Sequence, residues 1–248
     1  STQGVSSAAS DVYKRQEQAV EIATPEIVHA PSWSDLERLN KERELVGIYL
    51  SAHPLDEYAV ILENVCNTHM DQLVDLTPLQ NHDLTLGGIV IGVREGYTRT
   101  GKPYGIAKVE DYSGTAEFAF FGNDWVDKKN FFNEGMFLFM RGKCQPKQWK
   151  PDEWEVKINT IELLPEVKDN LIEKITVTAP LSAINDEMIM ELGSMVKTNP
   201  GNTELHFFIR DEDGQMFVNL MSHTLKISVR KDLVNYLKSQ PLLDYKIN

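Results

Sequence analysis

The sequence is poor in the residues that disulfide, metal and redox chemistry need. Only two cysteines occur, Cys66 and Cys144, far apart along 248 residues. They make neither a disulfide framework nor a C-x-x-C metal half-site, and a reducing, cytoplasmic home is the simplest expectation. The six histidines are scattered, without H-x-x-x-H or H-E-x-x-H spacing, so no metal site is expected. The longest apolar runs, Leu86–Val93 and Gly135–Met140, are strand-sized and fall well short of the roughly 18 residues of a membrane span. No basic stretch followed by an apolar core opens the chain, so neither a signal peptide nor a membrane partner is expected. There is no G-x-G-x-x-G and no G-x-S-x-G, and Gly101-Lys102 lacks the flanking residues of a phosphate loop. No pair or trio of aspartates suits a two-metal centre. Glu110 and Asp111 are neighbours on a strand-like run and face opposite ways, which argues against a catalytic carboxylate pair.

An excess of positive charge is missing as well. The formal net charge is −12, which excludes a protein that coats nucleic acid by charge alone. The distribution says more than the sum. Residues 1–83 carry a net −9 and residues 170–248 a net −2, whereas residues 84–164 carry eleven basic and eleven acidic side chains. The middle segment is the least acidic, and its cations cluster in loops. What is present is ordinary for a globular protein: 42% hydrophobic and 25% charged residues, at a length that suits one large or two modest domains.

The patterning predicts a multi-domain α+β chain. Residues 1–32 are expected to be disordered, being Ser/Ala/Gly-rich at the start with little to bury. Gly4–Gln16 (GVSSAASDVYKRQ) also resembles translated adapter sequence, so residues 1–16 are expected to be non-native. Residues 33–83 read as a helical segment. Ser34-Asp-Leu-Glu37 fits a capping box, and Leu36, Leu39, Val46 and Leu50 mark an apolar stripe. Pro54 stops that helix and can open a second, lined by Leu55, Tyr58, Leu62 and Val65. The two together form a helical hairpin.

From Leu84 the period changes to two. Strands are expected at Leu84–Glu95, Tyr104–Asp111, Thr115–Phe121, Met136–Cys144 and Glu153–Leu163, with a short helix at Asp124–Phe132 between the third and fourth. That is the order of a five-stranded OB-fold β-barrel, over residues 84–164. After a linker at Pro165, residues 165–248 read as a small α+β C-terminal domain. Its helices are expected at Asp186–Lys197 and Lys231–Ser239, and its strands at Lys174–Thr178, Thr203–Arg210, Gln215–Met221, Leu225–Val229 and Leu242–Ile247. Asp211-Glu-Asp-Gly214 reads as a hairpin turn.

In an OB fold the loops after strands one and four flank the binding face. Here the first, Gly96–Pro103, offers Tyr97, Arg99 and Lys102, with Arg94 just before it. The second, Gln145–Asp152, offers Lys147, Trp149 and Lys150. Strand two adds Tyr104, Ile106 and Lys108 on one face, alternating with Ala107 and Val109 inside. On strand three Ala116, Phe118 and Phe120 point in, and Glu117 and Phe121 out. Cations that track phosphates, beside aromatics that stack unpaired bases, are what single-stranded nucleic acid needs. Taken singly, each of these residues could equally be solvated surface. Gly101 and Gly114 are expected to supply positive-φ turn conformations.

Leu39–Tyr58, LNKERELVGIYLSAHPLDEY, resembles the segment following the helix-hairpin-helix region in the alpha subunit of bacterial DNA polymerase III. Gly101–Phe118, GKPYGIAKVEDYSGTAEF, is similar to that family's OB domain. Over 170–248 only the element order and short pieces such as Asn199-Pro-Gly201 fit. The resemblance implies a C-terminal fragment of a replicative DNA-directed DNA polymerase, a nucleotidyltransferase whose catalytic aspartates and Mg lie in a palm domain upstream. The fragment itself is then expected to have no catalytic residues and no cofactor. The implied partners are single-stranded template DNA at the OB domain, the clamp-loader tau subunit at the last domain, and other replisome subunits. A sliding-clamp motif is not found in Gln16–Ile27 (QEQAVEIATPEI), so clamp binding is expected only if an upstream motif is restored. Two other readings stay open: a protein–protein scaffold with a non-binding OB spacer, and the OB domain of a tRNA synthetase. His53, within S-A-H-P-L-D, is read as a packing or capping residue at a helix corner rather than a catalytic one.

Overall fold

The computed structural model describes residues 34–46, 49–211 and 216–247. The expected disordered stretch 1–32, the clamp-motif segment within it, and most of the Asp211–Gly214 turn lie outside the described residues.

Helix α1 (Asp35–Val46) begins directly after Ser34. Of its expected apolar stripe Leu39 is buried, but Val46 and Leu50 are 56% and 62% exposed. The stripe is therefore not a continuous packing surface. Instead the carboxylate of Glu42 accepts hydrogen bonds from the Leu50 and Ser51 amides, both at 3.0 Å, and from the Ser51 hydroxyl. These bonds lower the Glu42 pKa and fold the chain back after the helix. The second expected helix is a 3-10 turn at Pro54–Tyr58 running into α2 (Ala59–Asn64). Its apolar side is as expected, with Leu55, Tyr58 and Leu62 buried. The Nδ1 atom of His53 accepts the Leu55 amide at 3.2 Å, and the Asp56 carboxylate accepts the His53 amide at 3.2 Å. His53 is a helix cap here, packed edge-on against Tyr49 and tilted against Tyr112.

The OB-like sheet comprises β1 (Asp83–Tyr97), β2 (Pro103–Glu110), β3 (Thr115–Phe121), β4 (Phe137–Lys147) and β5 (Lys150–Leu163), with α3 (Asn123–Lys128) between β3 and β4. All neighbours are antiparallel, in the order β3-β2-β1-β4-β5. Alternation sends Ala107, Val109, Phe118 and Phe120 inward, where they meet Leu86, Leu138 and Ile158. Trp125 of α3 closes the core by lying flat on Gly105. A Cβ at that glycine would sit 2.4 Å from the indole, so no other residue fits without moving the ring. The sheet is curled but not closed. No β3–β5 ladder is present among the described residues, and a groove of about 640 Å³ runs between those two edges. The five strands thus form the expected OB-type barrel in its partly open form, without a backbone ladder across that gap among the described residues.

Two further expectations are corrected. Pro165 opens no linker. It sits in the first turn of α4 (Leu164–Leu171), where its missing N–H has no intrahelical partner to lose. The strand runs expected at 215–221 and 225–229 are one strand, β8 (Phe217–Ile227), with an irregularity opposite Glu204–His206. The C-terminal sheet is β8-β7-β6-β9, with β6 (Lys174–Pro180) and β7 (Pro200–Arg210) parallel, and β9 (Asp244–Ile247) at the other edge. Helix α5 (Asp186–Thr198) is capped by the Asn185 side chain, whose Oδ1 accepts the Met188 amide at 2.9 Å. It and α6 (Lys231–Ser239) bury Leu192, Val196, Leu233 and Leu237. One apolar core joins these residues to Leu55 and Tyr58 of the helical segment and to Ile89 and Phe139 of the OB sheet. Among the described residues no helix is long and apolar enough to cross a membrane.

Candidate nucleic-acid interface

Antiparallel register puts cross-strand partners on the same face. Gly92, Lys108 and Glu117 make one row on the outer side of β1–β3; Arg94, Ile106 and Ala119 make the next; Gly96, Tyr104 and Phe121 the last. The glycines and the alanine keep this face low, so the longer side chains stand clear of it. Tyr104 lies over Gly96, whose Cβ would meet the phenol at 3.1 Å, and its ring is 6.1 Å from that of Phe121. Phe121 is 57% exposed. It belongs to this face, although loop composition alone does not point to it. Its signal in the sequence is the alternation along β3.

The β1–β2 loop is held by backbone bonds. Thr98 N–H donates to the Lys102 carbonyl and Gly101 N–H to the Thr98 carbonyl, each at 2.8 Å, while the Thr98 hydroxyl accepts the Lys102 amide at 3.1 Å. Gly101 has φ +78° and meets the expected positive-φ role; Gly114 does not have positive φ. Gly114 instead donates its N–H to the Asp111 carboxylate. Tyr97 projects into solvent, 77% exposed, with Arg99 and Lys102 also exposed.

The β4–β5 connection is much tighter than the eight-residue loop expected. β4 runs to Lys147 and β5 starts at Lys150, which face each other across the register, leaving only Gln148 and Trp149 at the tip. Trp149 is 89% exposed. Lys147 lines the groove beside Thr115–Phe121, so this hairpin reaches the β3 edge of the outer face.

Charge pairing divides the candidate cations. The Arg94 guanidinium donates to both oxygens of Glu117 at 3.0 Å. Glu153 accepts from Lys147 at 2.7 Å and from Lys150 at 2.8 Å. These bonds raise the Lys147 pKa and lower that of Glu153. Among the described residues Arg99, Lys102 and Lys108 form no ion pair.

Behind this face the β2–β3 turn is clamped. Asp111 is only 6% exposed, and its carboxylate accepts the amides of Met70 (2.9 Å), Ser113 (2.8 Å) and Gly114 (3.1 Å) and the Ser113 hydroxyl (2.6 Å). The next residue, Tyr112, donates its hydroxyl to Asp56 at 2.8 Å, and Lys231 of α6 stands 3.7 Å from the same oxygen. Partial burial raises the Asp56 pKa, but the Tyr112 hydroxyl, the His53 amide and Lys231 outweigh it, and the net shift is downward. Burial and the Asp56 carboxylate push the Tyr112 phenol up. Among the described residues no cluster of His, Cys, Asp and Glu could hold a metal ion.

Comparison with known proteins follows the same division. The family described as OB-fold nucleic acid binding domain matches residues 84–164, and that of the C-terminal domain of the DNA polymerase III alpha subunit matches residues 175–248. The chain is similar over most of its length to DNA polymerase III alpha subunits. It is 23% identical over 208 residues to that subunit from Mycobacterium tuberculosis, covering 83% of this chain and 17% of the relative. The subunit of Halalkalibacterium halodurans is 28% identical over 171 residues, covering 66% and 15%. That of Borreliella burgdorferi is 26% identical over 212 residues, covering 84% and 18%. The chain therefore spans less than a fifth of the alpha subunits it matches. Among solved structures, the second OB-fold domain of replication protein A from Methanococcus maripaludis is similar over 39% of this chain and 95% of that one, at 12% identity. The TM-score of that likeness is 0.25.

Proposed function

We propose that this chain is a binding part of a replicative DNA polymerase alpha subunit, and that its OB sheet grips single-stranded DNA. In this reading the phosphates run past Arg99, Lys102 and Lys108, and bases stack on Tyr97, Trp149 and the Tyr104–Phe121 pair. Arg94, Lys147 and Lys150 join once phosphate replaces their carboxylate partners. The observation that carries it is the exposed Tyr97 and Trp149 on two short, ordered turns, beside an outer face with cations that have no ion-pair partner among the described residues. Exposed aromatics cost solvation unless a ligand covers them, and base stacking returns about 1–3 kcal/mol per base. Polymerase activity, with its Mg, would reside in the parent protein upstream of this chain. In the C-terminal domain, the clamp-loader tau subunit is the proposed partner. The support there is the edge strand β8, whose Phe217, Val218, Leu220 and Met221 are exposed. If a Phe217→Ser, Leu220→Ser variant, still folded, captured tau as well as the parent chain, that surface would be ruled out.

The DNA reading is tested by anisotropy of labelled oligo-dT titrated with the chain across a salt series. The three cations without an ion-pair partner give by themselves a slope of log K against log salt of about −2 on a single strand, with duplex bound more weakly. No binding at low salt by the folded chain would contradict it. A scaffold with a silent OB spacer would then be favoured, since Glu117 and Glu153 already compensate half of the candidate cations.

A further inference from the structure

The two carboxylates on the candidate interface are placed unlike ordinary surface acids. Glu153 lies beyond the turn tip and takes one lysine from each arm of the β4–β5 hairpin, Lys147 at 2.7 Å and Lys150 at 2.8 Å. Glu117 stands directly opposite Lys108 in the β2–β3 register and holds Arg94 from the far side of β2 with both oxygens. Each acid thus sits between two cations of the same face. The pairs are open to solvent, with side-chain exposures of 43–69%, so a phosphate can reach the cation without any backbone movement.

We infer that Glu117 and Glu153 are internal competitors for the phosphate backbone, holding Arg94, Lys147 and Lys150 in a neutralised state that a single strand must displace. The inference rests on the single-strand reading above and says how that site is regulated. Binding becomes an exchange. A strand first meets Arg99, Lys102 and Lys108, then replaces a carboxylate at Glu117 and another at Glu153. The released acids stay beside the strand and repel it, so affinity is held below what six cations would give. A ligand with few phosphates cannot drive both exchanges, which favours an extended strand over a mononucleotide.

The test uses the whole chain and labelled oligo-dT. Glu153→Gln and Glu117→Gln keep shape and remove charge. Each is expected to tighten oligo-dT binding about 1.5- to 5-fold at low salt, the range that exposed ion pairs of this kind correspond to. The salt slope should steepen by about 1, because more lysine or arginine charge becomes available for counterion release. The gain should shrink as salt rises and screening removes the repulsion. Lys147→Ala should also cost more affinity in the Glu153→Gln background than in the parent. If the parent binds oligo-dT, but neither glutamine variant changes affinity or slope, the competitor role is overturned and the single-strand reading stands. If neither parent nor variants bind, both fall. Binding by the glutamine variants alone would show the competition at its strongest.

Discussion

Arg99→Glu with Lys102→Glu is expected to weaken oligo-dT binding on the order of 100-fold, to below detection at moderate salt. Two phosphate contacts are lost and two repulsive charges are placed in the same loop, and electrostatic contacts supply most of the affinity in such complexes. The loop itself should survive. Its shape depends on Thr98 and on backbone bonds to Gly101 and Lys102, none of which involves the substituted side chains. An unchanged melting temperature with lost binding is therefore the expected pair of readings. Retained affinity in the folded double variant would remove the β1–β2 loop from the interface, whatever the rest of the sheet does.

The second large effect concerns stability. Asp111→Ala is expected to cost about 3 kcal/mol, seen as a lower denaturant midpoint with little change in slope. The carboxylate serves four donors at once, and three of them are backbone amides, at Met70, Ser113 and Gly114. Removing it leaves the Met70 amide buried without an acceptor, since Met70 is itself 1% exposed. The cost should also spread. The turn that Asp111 shapes carries Tyr112, whose hydroxyl reaches Asp56 in the helical segment. Asp111→Asn keeps one acceptor oxygen and turns its amide toward one of the donors, so about half the loss is expected. A midpoint shift equivalent to less than about 0.5 kcal/mol for Asp111→Ala would show that the clamp is not needed, because that is the range of ordinary surface changes.

Several of these features were legible in the sequence. The period-two runs placed Ala107, Val109, Phe118 and Phe120 inside and Tyr104, Lys108 and Glu117 outside, because alternation along a strand is local geometry. The pairing of cations with aromatics in two loops was equally plain, and so was the capping position of His53. Asp111 read as the last residue of a strand-like run. Its link to Met70, 41 positions away, was invisible, since nothing in the local pattern names a distant donor.

What the sequence by itself determined is the local periodicity, the element order and the chemistry exposed at the turns. Only the tertiary structure decided three other things. The β4–β5 connection is a two-residue tip rather than a loop, because the ladder continues past Pro146 to Lys147 and Lys150. Leu55, Tyr58, Ile89, Phe139 and Leu233 share one core, because each element alone exposes an apolar side that another can cover. Half of the candidate cations are charge-compensated, Arg94 by Glu117 and Lys147 and Lys150 by Glu153. Residue counts show equal numbers of acids and bases over 84–164, but which acid meets which base depends on strand register, and register is set by the whole sheet and its core.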